Sequence, residues 1–156
     1  MKFNVLPIHR GYRQTSLVAV MLVAMISGCS KESDAQTITV YKSPTCGCCK
    51  NWIAHLEDNG FKVIAHDTRN MDSVKREQGV PASMASCHTA LVDGYIIEGH
   101  VPATAIKRLL KEKPAVAGLA VPGMPMGSPG MEGPRKDRYN ALMFNRSGDA
   151  AIYESY

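Results

Sequence analysis

The sequence contains no apolar run long enough to cross a membrane. Its longest run, Leu17–Ile26, has ten residues, whereas a transmembrane helix requires about 20. An excess of positive charge is also missing beyond this run. Three of the 18 basic residues precede it, which leaves 15 basic residues against all 14 acidic residues. This near-balance gives no support to nucleic-acid binding, and no internal repeat is visible.

The ten-residue run instead has the length of a signal-peptide core. It follows a basic segment and leads into ISGC, Ile26–Cys29, where small residues precede a cysteine. This pattern predicts a lipoprotein signal peptide at residues 1–28 with lipidation of Cys29. An ordinary secretory signal with an incidental cysteine is the alternative. Residues 29–36 would be a tether, and Ser30 favours sorting to the outer membrane. We therefore expect a lipid-anchored periplasmic protein in an oxidising compartment.

Cysteines are few, and their placement argues against an ordinary disulfide framework, although four cysteines could form two structural disulfides. Five occur in the chain, and setting Cys29 aside leaves four. Three of these, Cys46, Cys48 and Cys49, lie within one turn, where no pairing among them closes a long, stabilising loop. The fourth is Cys87. These thiols are therefore expected to serve chemistry, not structure.

The apolar pattern predicts an α/β fold with a thioredoxin-like domain at residues 37–113. Period-2 runs indicate strands, and spacing at i, i+3, i+4 and i+7 indicates a helix beginning near Cys49. Asp93-Gly94 is a strong hairpin signal. With CxxC at the first strand-to-helix turn, the order of elements is typical of thioredoxins. The predicted elements are the strand 37–42, the helix from 49, the strand 61–66, the helix 71–79, the hairpin 88–100 and the helix 101–113.

Residues 114–156 are predicted to be a C-terminal extension rich in methionine, proline and glycine. Pro114–Asp137 has 24 residues, with five prolines, five glycines and three methionines, and it shows no convincing period. A structureless connection of this length is uncommon in a compact domain and is usually functional or disordered. A closing hairpin is expected around Ser147-Gly148.

The cysteine turn has the properties of both a redox motif and a soft-metal site. Cys46 and Cys49 have CxxC spacing at a helix N-terminus, whose partial positive charge stabilises thiolate. They are the candidate catalytic pair and should form a disulfide in the absence of metal. Cys48 should point away from Cys49, because neighbouring helical residues project about 100° apart. Divergent thiolates suit a site with more than one metal ion bridged by sulfur, and soft sulfur ligands select Cu(I).

Further candidate ligands lie later in the chain. In a thioredoxin-like order, Cys87 and His88 would face the CxCC turn and extend the metal site. Their alternatives are a buried cysteine and a surface histidine. Met124 and Met131 are candidate thioether ligands or else packing residues, and Met126 is a third candidate in the same loop. Three other histidines are not favoured as ligands: His55 and His66 should be solvated, and His100 should be a helix-cap or turn residue.

The motifs CGCC at 46–49, SCHTALVDGYIIEGHVPA at 86–103 and GLAVPGMPMGSPGME at 118–132 closely resemble the CopG family of periplasmic proteins associated with bacterial copper resistance. Cys46, Cys48, Cys49, Cys87 and His88 match the family's CxCC…CH pattern. Met124 and Met131 lie in its PGMPxGSPGME stretch, and Met126 occupies the variable position. The resemblance implies a thioredoxin-like domain, a C-terminal extension that assists copper binding and a role in Cu(I)/Cu(II) interconversion.

Three functional hypotheses follow for the chain. The leading one is a copper-binding redox protein of the cell envelope, holding more than one copper ion. The others are a thiol–disulfide oxidoreductase and a copper store or chaperone without turnover. The same ligands serve turnover and storage, so the sequence leaves open whether the protein is a copper oxidoreductase. Expected partners are copper ions, envelope copper-export or electron-donor proteins and the membrane through the lipid anchor.

Overall fold

A seven-stranded sheet organises the described part of the chain, residues 35–156 of a computed structural model. The predicted signal peptide, Cys29 and most of the predicted tether lie outside the described residues. The mixed α/β class agrees with the sequence prediction. In chain order the elements are β1 Thr37–Lys42, α1 Gly47–Asp58, β2 Lys62–Asp67, α2 Met71–Gln78, a 3-10 turn Ala82–Met84, β3 His88–Val92, β4 Tyr95–Gly99, α3 Ala103–Glu112, β5 Gly118–Val121, β6 Asn140–Phe144 and β7 Ala150–Ser155.

The strands lie side by side in the order β2-β1-β3-β4-β5-β6-β7. Two neighbouring pairs, β1 with β2 and β4 with β5, are parallel, and the other pairs are antiparallel. Strand β1 pairs with β3 so that Lys42 lies opposite His88. The residues just before β3 therefore lie beside the turn that follows β1. This register brings two distant parts of the sequence to one end of the sheet.

Local sequence signals account for most element boundaries. Asp93 and Gly94 both have positive φ, 48° and 82°, as a tight hairpin between β3 and β4 requires. Pro102 directly precedes α3, where a missing N–H costs nothing. Gly79 ends α2 with a φ of 72°, in the left-handed conformation that glycine adopts readily. The predicted hairpin at Ser147-Gly148 joins β6 and β7.

The segment Pro114–Asp137 was predicted to lack regular structure, but it contains a strand. β5 occupies Gly118–Val121 between β4 and β6, and all four of its residues are buried. A strand buried on both faces does not alternate apolar and polar residues, so period-2 patterning could not reveal it. Glycine is required at Gly118, because a Cβ there would collide with the backbone of Ile96.

The hydrophobic core lies mainly under α1 and α3. It includes Trp52 and Leu56 of α1, Ile106 and Leu109 of α3, and the inward-facing sheet residues, all fully buried. A smaller cluster contains Met84, Ile96 and Phe144. Among residues 35–156, no helix is long and apolar enough to cross a membrane. Packing of Trp52 against the sheet fixes the first turn of α1, which carries the cysteines.

Candidate metal centre

The first turn of α1 holds the CxCC motif. Cys46 is the residue before the helix, in an extended conformation, and it makes no side-chain cap hydrogen bond. The positive end of α1 is therefore directed at the thiol cluster, which favours thiolate. Cys46 and Cys49 form a disulfide with a Cα–Cα distance of 5.4 Å, the pairing expected from CxxC spacing. Cys49 is fully buried, whereas Cys46 and Cys48 are partly exposed.

The four cysteines of the described chain converge on one cluster. The Sγ atoms of Cys46 and Cys48 are 3.6 Å apart, and those of Cys49 and Cys87 are also 3.6 Å apart. All four sulfur atoms lie within 4.8 Å of one another. The expectation that Cys48 and Cys49 would point away from each other is therefore wrong. Cys49 is bonded to Cys46, and Cys48 Sγ lies against Cys46 Sγ, so Cys46 brings the two neighbouring sulfurs together despite the roughly 100° rotation between them.

The pairing of β1 with β3 brings Cys87 to the cysteine turn. Cys87 directly precedes β3, and His88 at the start of β3 lies opposite Lys42 at the end of β1. The three residues after Lys42, 43–45, lead into Cys46. Cys87 therefore faces the CxCC turn, as the thioredoxin-like order of elements predicted, although 38 residues separate it from Cys49.

Two histidines form a second group with Cys87. His88 Nδ1 is 3.3 Å and His100 Nε2 is 3.5 Å from Cys87 Sγ, and the three ligand atoms lie within 4.8 Å of one another. The His88 ring packs against Trp52, with ring centroids 4.3 Å apart. His88 is fully buried, and its Nε2 atom has no hydrogen-bond partner. Such an orphaned nitrogen is unusual in a buried side chain and suits a ligand role.

His100 was expected to be a helix-cap or turn residue, and it lies in the bend between β4 and α3. It is fully buried, and its Nδ1 donates a hydrogen bond to the Pro129 carbonyl at 2.7 Å. This bond leaves the Nε2 lone pair directed toward Cys87, the arrangement that metal-binding histidines commonly show. The sequence signal was present, because His100 lies inside the motif at 86–103, but its contact with Cys87 depends on the hairpin bringing the two together.

Burial favours the uncharged forms of Cys87, His88 and His100 in the absence of metal. It raises the pKa of the Cys87 thiol to about 12, with a further contribution from the nearby Cys48 sulfur. Burial also lowers the pKa of His88 to about 3 and lowers the pKa of His100. At neutral pH both imidazoles are therefore neutral and have lone pairs available, whereas Cys87 must lose a proton to bind a cation.

The methionine loop, which is the β5–β6 connection that carries Met124, Met126 and Met131, packs onto α1, the helix that carries the cysteines. A Cβ at Gly130 would lie 2.7 Å from the backbone nitrogen of Trp52 and 2.9 Å from the backbone carbonyl oxygen of Cys48, so only glycine permits this close approach. Glu132 accepts a hydrogen bond from the Gly130 N–H at 2.8 Å. Met131 is the next residue in the chain and is partly buried.

The three loop methionines differ in backbone setting but share partial burial. Met124 has a φ of 47°, an uncommon value for a residue with a side chain. Met126 and Met131 are tied into the loop by backbone hydrogen bonds, from Asp137 N–H to Met126 and from Gly127 N–H to Met131. The loop is thus an ordered structure beside the centre. Met124, Met126 and Met131 remain candidate ligands on the sequence argument.

Two further histidines lie away from the cluster. His66 is exposed, as expected, and stacks on Tyr41 with ring centroids 5.3 Å apart. The expectation for His55 was wrong, because it is partly buried and its Nε2 accepts a hydrogen bond from the Ala103 N–H at 3.1 Å. This bond satisfies a free donor at the start of α3. His55 is therefore a structural residue that links α1 to α3.

The donor atoms of the centre fit a soft or borderline metal ion. Four sulfur atoms and two imidazoles lie close together, with Cys87 belonging to both groups. Thiolates favour Cu(I), and imidazole suits copper and zinc. Carboxylates, which harder cations prefer, do not take part in either group. The structure thus groups Cys46, Cys48, Cys49 and Cys87, and it joins His88 and His100 to Cys87. The close approach of Cys48 to Cys49 and that of His100 to Cys87 were not predicted.

Comparisons with known proteins point in the same direction. The family model described as "Protein of unknown function, DUF411" matches residues 84–131, which include Cys87, both buried histidines and the methionine loop. No curated protein matches the chain. The solved structure named "Copper resistance protein copG- Form 2" is 50% identical, with a TM-score of 0.74, over 79% of this chain and 99% of that one. A second, "Copper resistance protein copG- Form 1", is 51% identical, with a TM-score of 0.74, over 79% and 98%.

Proposed function

Because the chain belongs to the CopG family of copper resistance proteins, we propose that it binds copper at its cysteine cluster and changes the oxidation state of that copper. The observation that carries the proposal is the convergence of Cys46, Cys48, Cys49 and Cys87 within 4.8 Å, joined through Cys87 to two buried histidines. Both groups consist of the ligand types that copper prefers in its two oxidation states.

A thioredoxin-like assignment of the domain supports this proposal. The strand order β2-β1-β3-β4, with α1 following β1 and α3 following β4, is the order expected of that fold. The cysteine turn lies between β1 and α1, where a thioredoxin carries its redox motif. β5, β6 and β7 then form the C-terminal extension, and the methionine loop is the connection from β5 to β6.

The redox part of the proposal rests on electron balance in the cysteine pair. Closing the Cys46–Cys49 disulfide releases two electrons and two protons, which matches the reduction of two Cu(II) ions to Cu(I). When bound, copper supplies this one-electron couple. The chain supplies the thiolates, the neutral imidazoles and a partly buried setting. Cys48 and Cys87 are not in the disulfide, so they are available as ligands in either redox state.

Two other functions use the same residues. A thiol–disulfide oxidoreductase would need the Cys46–Cys49 pair but neither Cys48 nor the histidines, so the additional ligands favour copper. A store or chaperone would bind copper without turnover. Redox cycling of the copper-loaded protein distinguishes a redox function from storage. Repeated reduction of Cu(II) to Cu(I), with the Cys46–Cys49 disulfide closing and a reductant reopening it in each cycle, supports the redox function, and loading without turnover supports storage.

Anaerobic titration of the reduced protein with Cu(I) tests the proposal directly. We expect saturation at more than one ion per chain and preference for Cu(I) over Zn(II), because sulfur dominates the donor set. Replacing Cys48 with serine should lower the number of copper ions bound, not only the affinity, if its sulfur bridges ions. Metal analysis after gel filtration gives the number. An unchanged number in Cys48→Ser would remove the bridging argument, and preferential zinc binding would contradict the copper assignment.

The methionine loop should affect copper retention with little effect on folding. Met124→Leu and Met131→Leu nearly preserve side-chain volume and apolarity but remove the thioether. We expect faster loss of copper to a competing chelator and a nearly unchanged melting temperature of the metal-free protein. Met126→Leu, at the weaker candidate in the same loop, is the matched comparison and should have the smaller effect on copper retention. Lower stability with unchanged copper affinity would assign these methionines to packing instead.

We further propose that the protein is periplasmic and anchored to the outer membrane through lipidated Cys29. The support is the ISGC sequence after a ten-residue apolar run. Mass spectrometry of the membrane fraction should find the mature chain starting at acylated Cys29. An unlipidated N-terminus at another residue would contradict the anchor. In this location, envelope copper-export and electron-donor proteins are the expected partners.

A further inference from the structure

A buried carboxylate lies beside the candidate centre without belonging to its ligand set. Glu98 is on β4, two residues before His100, and it is fully buried. Buried carboxylates are rare unless a cation and hydrogen-bond donors compensate them. Neither the copper chemistry nor the hydrophobic core explains an acidic residue at this position. Its partners show what it does.

The Glu98 carboxylate contacts both sides of the Cys87–His88 pair. Its Oε1 accepts a hydrogen bond from the Ser86 backbone N–H at 2.6 Å. Its Oε2 accepts one from the Thr89 hydroxyl at 2.7 Å. Ser86 directly precedes Cys87, and Thr89 directly follows His88. One side chain thus holds the two ends of a four-residue segment whose middle residues are candidate ligands.

Lys75 of α2 completes this network. Its ammonium group forms an ion pair with Glu98 Oε1 and donates a hydrogen bond to the Thr89 hydroxyl oxygen at 3.0 Å. The Lys75 side chain is only 12% exposed, so the two charges compensate each other in a region of low solvent access. Every oxygen of the carboxylate therefore has a partner, as a stable buried polar network requires.

The residues that follow Glu98 contact the same segment. Gly99 has a φ of 74°, and a Cβ there would lie 2.9 Å from Ser86 Oγ. Glycine thus lets Ser86 pack directly on β4. His100 then places Nε2 3.5 Å from Cys87 Sγ. Three consecutive residues, the last two of β4 and His100 just after it, therefore contact Ser86–Thr89. Glu98 does so through its carboxylate, Gly99 through the close approach of its backbone and His100 through its imidazole.

We propose that Glu98 is a positioning residue that fixes Cys87 and His88 in the geometry required for metal binding. It holds the backbone of Ser86 and the side chain of Thr89, and so limits movement of the two ligands between them. Removal of a group that hydrogen-bonds to a metal ligand and orients it commonly lowers metal affinity by roughly 10–100-fold. The effect on copper rests on the proposed function. The effect on the mobility of Cys87 does not.

The alternative role for the network is simple charge balance, in which Glu98 only neutralises Lys75 and keeps α2 on the sheet. Two variants separate the roles. Glu98→Gln removes the charge and replaces one acceptor oxygen with an NH₂ donor, so the Thr89 hydroxyl can no longer donate to that atom and the hydrogen bond from Ser86 loses its charge assistance. Lys75→Met/Glu98→Gln restores neutrality but not the carboxylate. Glu112→Gln, which removes an exposed partner of Arg108 on α3, is the control.

The first measurement uses metal-free protein with the Cys46–Cys49 disulfide intact. Iodoacetamide labelling followed by peptide mass mapping gives separate rates for Cys87 and Cys48. We expect the Cys87-to-Cys48 rate ratio to rise several-fold in Glu98→Gln and in the double variant, because the freed segment exposes the thiol more often. Glu112→Gln should keep the wild-type ratio. A ratio that returns to the wild-type value in the double variant would overturn the positioning role in favour of charge balance.

The second measurement is Cu(I) affinity of the reduced protein in competition with a bicinchoninate probe. Both Glu98 variants should bind roughly 10–100-fold more weakly than wild type, and Glu112→Gln should be unchanged. If wild type itself does not bind Cu(I), the proposed function fails, and the labelling ratio still decides the role of Glu98. If Glu98→Gln does not fold, Thr89→Val removes one arm with nearly the same shape. A wild-type labelling ratio in that variant contradicts the proposal.

Discussion

Oxidised, metal-free protein should take up little copper until the Cys46–Cys49 bond is reduced. The disulfide removes two of the four clustered sulfurs as ligands, and metal binding requires free thiolates. Reduction under anaerobic conditions should restore full loading. Copper analysis combined with mass mapping of the disulfide measures both states in one sample. Full loading with the Cys46–Cys49 bond still intact would defeat the coupling between copper binding and redox state.

Cysteine variants provide the internal comparison for this experiment. Cys46→Ser/Cys49→Ser should abolish the disulfide and most copper binding, because it removes two ligands and the reactive pair together. Cys48→Ser keeps the pair and should still show the difference between oxidised and reduced protein, at a lower copper number. If the double variant loaded as much copper as reduced wild type, Cys48, Cys87 and the histidines alone would form the site, and the cysteine pair would have only a redox role.

Cys87→Ser should be the most damaging single ligand substitution. Its Sγ lies 3.6 Å from Cys49 Sγ and 3.5 Å from His100 Nε2, so it is shared by the cysteine group and the histidine group. Replacing it with serine changes the side chain by one atom but removes the soft ligand. We expect Cu(I) affinity to fall by more than about 100-fold. This exceeds the roughly 10–100-fold loss of affinity that follows removal of a hydrogen-bond partner of a metal ligand. Competition with a Cu(I) chelator measures this loss.

A matched substitution distinguishes loss of the ligand from loss of packing. His66→Ala removes an exposed histidine that contacts Tyr41, and it should leave copper affinity unchanged. The metal-free Cys87→Ser protein should melt near the wild-type temperature, because Cys87 is only partly buried. If Cys87→Ser retained wild-type affinity, the four-cysteine cluster would not be the binding site. A large fall in melting temperature would instead indicate that Cys87 mainly supports the fold.

Local sequence patterns predicted the α-helices and β-strands up to residue 112 to within about two residues, but not the 3-10 turn at Ala82–Met84. The alternation in Thr37–Lys42, the Asp93-Gly94 turn and the amphipathic pattern of α3 each reflect short-range constraints on the backbone. β5 was missed because Gly118–Val121 is buried on both faces and lacks alternation. Its pairing with β4 and β6 depends on residues that are distant in the sequence. The four residues of β5 alone therefore do not reveal it.

The sequence likewise predicted some features of the candidate ligand set, and the tertiary structure decided the others. CxCC spacing by itself determined that Cys46, Cys48 and Cys49 would lie in one turn at a helix N-terminus, and the motifs nominated Cys87 and His88. Only the tertiary structure decided that the four sulfurs converge, because side-chain direction in the first turn of α1 depends on its packing. Likewise, His100 became a ligand candidate only when the β3–β4 hairpin placed it beside Cys87, with Pro129 fixing its other nitrogen. Covalent spacing sets which groups are available, whereas strand pairing and burial set which of them meet.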